Sequence, residues 1–356
     1  MTSNKWDVIV VGAGIAGLTA AAVARRAGKR VLVYEARDRV GGRARTHEVA
    51  DGVVDMGSTW FWPNERLIAE LVEQHGVQTF DQYTADDVLL EASATEIQRL
   101  AGNPIDTPAL RFTGGAQQLA RRLADLLPSG TLQLNSTVLT VTVDDNGVAV
   151  ETEESTSYGE RLVLAVPPAL AVEQITFTPQ LPATVRGAAE RTMVWMGQVV
   201  KAVAVYDHAH WRSTGLAGTA VSYSGAFREF HDHSGPVGIP PAIFGFAPSD
   251  RFTGCDSDEI ARVFRADLTR LFGRSAAQPR DVQVVDWSRE VFTTPRRPSP
   301  RASTADYSSS VFQEPLFDKI HWATTETATG FAGHLEGAII AGANAANAIV
   351  TAWQRS

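Results

Sequence analysis

The chain opens on a run of apolar, mostly β-branched positions, Asp7-Val8-Ile9-Val10-Val11, that breaks at Gly12-Ala13-Gly14-Ile15-Ala16-Gly17. Small residues continue from 18 to 27 and stop at Gly28. The pattern predicts a buried strand, a glycine turn and a helix. A second apolar stretch at 30–34 predicts another buried strand, which ends in Glu35. Alternating apolar and polar positions at 132–143, 147–153 and 160–166 predict three more, the first two joined by the turn Asp145-Asn146-Gly147. Residues 198–206 place Lys201 on the same strand face as Val199, Val203 and Val205. The last long pattern, 335–353, predicts a helix rich in small residues. Gly, Ser, His and Pro crowd 212–241, and Pro, Ser and Arg crowd 293–310, so both predict loops, the second disordered or a lid.

The first block has the physical parts of a dinucleotide site. Gly12 makes the tight turn, Gly14 lets a pyrophosphate approach the backbone, and Gly17 lets helix and strand pack closely. The helix N-terminus attracts the phosphates. Glu35 stands where an acidic residue accepts from a ribose hydroxyl. This much does not separate NAD from FAD. The segment that follows does, because Gly41, Gly42 and Arg43 offer a second backbone approach and a guanidinium directly after the ribose-binding acid.

Composition narrows the classes. The 356 residues suggest about two domains, and 44% hydrophobic with 20% charged residues is ordinary for a soluble chain. With a net charge of −8 and scattered arginines, no basic face for nucleic acid is evident. The single cysteine, Cys255, excludes disulfide frameworks and cysteine-rich zinc sites. No apolar run approaches the ~20 residues that span a bilayer, and residues 8–11 are too short for a signal-peptide core. A cytoplasmic protein with no membrane or nucleic-acid partner is the expectation. A homo-oligomer is compatible with it.

The glycine blocks do not stand alone. Val54-Asp55-Met56-Gly57-Ser58-Thr59-Trp60 with Pro63-Asn64-Glu65-Arg66, then Phe112-Thr113-Gly114-Gly115, then Leu162-Val163-Leu164-Ala165-Val166-Pro167-Pro168 follow in order. Gly197-Gln198-Val199-Val200-Lys201 with Tyr206 and Trp211-Arg212 comes next. Ile320-His321-Trp322-Ala323-Thr324-Thr325-Glu326-Thr327-Ala328 and Gly333-His334-Leu335-Glu336-Gly337-Ala338 close the series. The sequence so resembles the flavin-containing amine oxidase family, which includes monoamine, polyamine and L-amino-acid oxidases.

The resemblance implies an α/β fold: a Rossmann-like FAD-binding domain of glutathione-reductase type from residues 1–80, 112–172 and 295–356. A second, reduced α+β substrate domain would come from 81–111 and 173–294. It implies FAD contacts at Gly12, Gly14, Ala16, Gly17, Glu35, Ala36, Arg37, Gly42, Arg43, Gly57, Ser58, Thr59, Val138, Glu326, His334, Leu335 and Ala338. No metal is implied. Trp60 and His334 would line the substrate pocket. His334 stands where many relatives have a tyrosine of an aromatic cage, and Trp287 and Phe292 lie in the region of the second wall. FAD should be held non-covalently, since 288–310 has no cysteine where covalent members carry one. The 81–111 segment is short where many members insert a helical roof.

Lys201 is the implied catalytic residue, holding a water at flavin N5 and assisting reoxidation by dioxygen. On the apolar face of its strand an ammonium is costly, and only four of the chain's 32 basic residues are lysines. A lysine stem snorkelling to water is the plain alternative. The implied reaction moves a hydride from a neutral amine to flavin N5. Water hydrolyses the imine, and dioxygen becomes hydrogen peroxide. A neutral alkylamine at pH 7 costs about 4 to 5 kcal/mol, so activity is expected to rise between about pH 7 and 9. No acid–base dyad is evident among the eight histidines. Two other readings share the N-terminal blocks: a dehydrogenase of carbon–carbon bonds like protoporphyrinogen oxidase or the carotenoid desaturases, and a flavin-binding protein without turnover.

Overall fold

The computed structural model describes residues 5–355. An eight-stranded sheet begins with the strand Trp6–Val11, which lies parallel between Val31–Tyr34 and Thr156–Leu164. Leu132–Gln133 extends one side, while Gly147–Thr152, Val138–Asp144 and Thr176–Thr178 extend the other. Ile320–Trp322 joins in parallel with Leu162, Val163 and Leu164. The strands Trp6–Val11 and Val31–Tyr34 are buried along nearly their whole length, as parallel strands covered on both faces must be.

The helix Ile15–Arg26 begins three residues before the predicted 18, directly at the glycine turn. It packs on the C-terminal helix Leu335–Arg355. The crossing is close enough that a Cβ on Gly342 would collide with the carbonyl oxygen of Ala16. By length and a mean hydropathy of 1.2, residues Leu335–Gln354 meet the criterion for crossing a bilayer. The sequence expectation of no such span overlooked them. Here Ile339, Ala345, Ala346 and Ile349 of this helix are buried in the core beneath Ile15–Arg26.

A seven-stranded sheet runs Asp281–Asp286, Val199–Val205, Ala242–Pro248, Glu229–Asp232, Leu216–Ser222, Asp87–Ser93 and Glu96–Leu100. The helix Ser257–Phe272 covers one face with Ile260, Phe264 and Leu268. Its start is fixed by a reciprocal pair, Asp256 accepting from Glu259 N and Glu259 accepting from Asp256 N.

Two predictions need correction. Residues 212–241 are not a loop, since they supply two strands of the second sheet. Their buried polar positions are paired across the fold: Thr219 and His231 with Asp106, and Ser222 with Glu91. The stretch 132–143 is not one strand either. It leaves the sheet after Gln133, turns at Asn135 with φ 53°, and resumes at Val138. Residues 293–310 hold a short turn of 3-10 helix at Thr304–Asp306, and a second begins at Ser310.

Candidate active site

The glycine turn, the end of Val31–Tyr34 and the start of the C-terminal helix enclose one groove. Gly12, Gly14, Ala16, Glu35, Ala36, Arg37, Gly42, Arg43, Ser58, Val138, His334, Leu335 and Ala338 all line it. Gly17 does not. It packs behind the turn, where a Cβ would strike the carbonyl oxygen of Gly12. A Cβ on Gly12 would lie 2.7 Å from the Ala165 carbonyl oxygen. At Gly14 the added atom would meet nothing within 4 Å, so the backbone is bare toward the groove.

The helix that starts there has no side-chain cap and no acidic residue in its first turn. Its free N–H groups and dipole therefore favour a bound anion. Glu35 is 4% exposed and accepts from Ala13 N at 2.8 Å and Arg37 N at 3.0 Å. Both carboxylate oxygens retain lone pairs for a further donor. Arg43 makes a two-pronged bond to Glu326 at 2.5 and 3.1 Å, and Glu326 is fully buried behind it rather than lining the groove. Ser58 Oγ is buried with no partner among the described residues and faces the groove. An uncapped helix, a bare glycine and an unsatisfied hydroxyl are what a nucleotide cofactor would complete. Ser136 and Thr137, in the gap of the broken strand, line the same groove.

A second cavity of about 660 Å³ adjoins it, and the two share Ser58, Trp195, Met196, Gly333, His334 and Leu335. Gly57, Thr59, Trp60, Trp62, Phe244, Phe246 and Tyr307 complete its main walls, and no Asp, Glu, Lys or Arg lines it. Trp60 packs on Phe244 at 5.5 Å and edge-on to Trp62 at 6.3 Å. The sequence reading placed Trp60 and His334 here and missed the other aromatics. Phe244 and Phe246 had a signal: they alternate on one strand, opposite Val203 and Lys201 in the paired strand. Trp287 is core, its indole bonded to Met56 O, and Phe292 borders the nucleotide groove beside Arg37.

Lys201 lines neither cavity. It is 0% exposed, and its Nζ donates to Gly57 O at 3.0 Å and to Thr59 Oγ1 at 2.5 Å, with Phe244 4.2 Å away. Burial pushes its ammonium down to about 7, against the attraction of Asp55 and with the repulsion of Arg111. Asp55 is pushed up by burial, opposed by its bond to Thr46. Arg111 is pushed down to about 10, again chiefly by burial. His233, whose Nε2 accepts from Asp55 N, is driven well below the usual imidazole range by burial and these cations.

A histidine–carboxylate pair that the sequence did not reveal borders both cavities. His334 Nδ1 lies 2.8 Å from Glu65 Oε1, and Glu65 is 1% exposed. Cys255 lines neither cavity. Among the described residues, no group of three or more His, Cys, Asp or Glu is placed to hold a metal ion.

Fold and groove together define a mixed α/β protein with a groove suited to a nucleotide cofactor, joined to an apolar chamber. The chain matches the model of the flavin containing amine oxidoreductase family over residues 15–94 and 82–350, and it belongs to that family. It is similar to the putrescine oxidase of Kocuria rosea, 23% identical over 99% of this chain and 96% of that one. It is likewise similar to amine oxidase B of Homo sapiens, 24% identical over 98% and 87%. The structure of cyclohexylamine oxidase from Brevibacterium oxydans superposes with a TM-score of 0.88 at 22% identity, covering 99% of this chain and 100% of that one. The two sequence alignments run over 463 positions against 356 residues here, so these relatives carry segments this chain lacks. The protein is an FAD-dependent oxidoreductase acting on amines. The carbon–carbon dehydrogenase and non-catalytic readings are not favoured.

Proposed function

We propose that the chain oxidatively deaminates a monoamine with an apolar body, using dioxygen as electron acceptor and non-covalently held FAD. The carrying observation is the chamber beside the cofactor groove, walled by Trp60, Trp62, Trp195, Phe244, Phe246 and Tyr307 with no formal charge on it. A diamine such as putrescine would bury its second ammonium there without a carboxylate. An amino acid would bury its carboxylate without an arginine. Each is costly when unpaired. Apolar walls also favour the neutral amine from which the reaction proceeds.

FAD, when bound, supplies the two-electron acceptor. The N-terminus of Ile15–Arg26 and the bare backbone at Gly14 would hold its pyrophosphate, and Glu35 its ribose. In our reading Gly57, Ser58 and Thr59 form the seam between cofactor and substrate. Lys201 anchors this seam from behind and places a positive charge where dioxygen takes up negative charge. That Cys255 lines neither cavity supports a dissociable cofactor. We assign cofactor binding to 1–80, 112–172 and 295–356, and the substrate side to 81–111 and 173–294. The two family-model matches meet at residues 82–94, which supports a reduced roof in that region.

The test is selectivity under turnover. kcat/KM for hexylamine should exceed that for the diamine of equal length by at least about a hundredfold, a difference of ~2.7 kcal/mol. Equal values, or a preference for the diamine or for leucine, would refute the apolar-monoamine assignment.

A further inference from the structure

Resting on the amine-oxidising reading, we infer that His334, held by Glu65, takes the proton from the substrate's ammonium group. Alkylamines reach the enzyme mostly protonated near neutral pH, and the reaction needs the nitrogen lone pair. His334 is the one imidazole lining the substrate cavity, a side chain able to accept a proton. It stands at the junction of the two cavities, its ring 5.1 Å from that of Trp62.

The carboxylate behind it is built in. Glu65 is the residue preceding the helix Arg66–Gln74, where the helix dipole favours negative charge. Its Oε2 accepts from Trp62 N at 2.7 Å, and its Oε1 meets His334 Nδ1 at 2.8 Å. An imidazole donating Nδ1–H to that carboxylate leaves the Nε2 lone pair free, and the resulting imidazolium is stabilised by the same contact. In the step, one ammonium N–H bond breaks, its electron pair stays on nitrogen, and an Nε2–H bond forms. The imidazole side chain is 42% exposed, so the proton can pass on to solvent.

Other charged or titratable groups around His334 are engaged elsewhere. Glu336 accepts from Leu67 N and Ile68 N, and Arg43 is paired with Glu326. Tyr307, near Gly333, is pushed up to about 12, chiefly by burial. Glu65 is therefore the carboxylate that acts directly on the imidazole.

The experiment measures the limiting rate of anaerobic FAD bleaching by saturating hexylamine against pH, in the holoenzyme and two variants. Wild type should show an acid limb below the amine's own range and a plateau above it, in place of the rise from pH 7 to 9 expected when an amine sheds its proton to water. His334→Tyr keeps an aromatic wall but removes the base, so the limb should move up by roughly one unit or more toward the amine's own range. Glu65→Gln removes the charge that stabilises imidazolium, so the limb should move down and the plateau fall. Opposite shifts are a signature that a merely structural wall would not give. His334→Tyr alone still decides the matter if Glu65→Gln fails to fold. A limb unmoved in His334→Tyr, with only the half-saturating amine concentration changed, overturns the base role and leaves the amine assignment intact. Absence of bleaching of the wild type by any amine overturns both.

Discussion

Lys201 has no solvent contact, and its ammonium is held by Gly57 O and Thr59 Oγ1, residues that line the aromatic cavity. With its titration pushed down to about 7 by burial, its charge is present below that pH and lost above it. If that charge assists dioxygen, reoxidation of the amine-reduced enzyme should slow as pH rises through about 7. Lys201→Met should slow it by roughly tenfold or more while leaving anaerobic bleaching nearly unchanged. Stopped-flow mixing with oxygenated buffer measures both. The stability sign follows from the same shift. Between about 7 and the ordinary lysine value of 10.5, the unfolded chain binds the extra proton, so this residue makes stability rise with pH across that window. Urea titrations of Lys201→Met should show a flatter pH dependence there.

The burial of Lys201 was legible because alternation put a cation on an apolar face. The His334–Glu65 pair was not, since 269 positions separate its members and nothing local marks the contact.

At the scale of elements, the glycine turn and its helix were readable because each interaction is local: strand period, turn residue and helix lie within about thirty residues. The strands Leu216–Ser222 and Glu229–Asp232 were hidden by the Gly, Ser, His and Pro in and around them. Their hydroxyl and imidazole groups are buried against Asp106 and Glu91, carboxylates more than a hundred positions away. Two substitutions in the first helix separate packing from binding. Gly17→Ala drives a methyl into the carbonyl oxygen of Gly12, and should destabilise the fold by about 1–3 kcal/mol. Gly14→Ala meets only open space, so it should fold normally but retain less FAD. Urea midpoints and the FAD absorbance of the purified variants distinguish the two.

For the whole molecule, Gly57, Ser58 and Thr59 all line the aromatic cavity, where Gly57 and Thr59 accept from Lys201 behind it and Ser58 alone also borders the groove beside it. The order of motif blocks along the chain made the family legible. The chamber's aromatic, uncharged character was not, because its walls come from five separate stretches of sequence that only the fold brings together. The proposed dissociable FAD is tested on the whole molecule too. Acid precipitation should leave a colourless pellet and a yellow supernatant, and a pellet that stays yellow would show a covalent link.

The central claim is that an apolar amine delivers electrons to FAD in this chamber. Anaerobic mixing of the purified yellow protein with hexylamine, followed by absorbance at the flavin band, tests it in a single turnover. Hexylamine should bleach the flavin rapidly, and the matching diamine and leucine slowly or not at all. A spectrum unchanged by hexylamine, or bleached faster by the diamine, would contradict it.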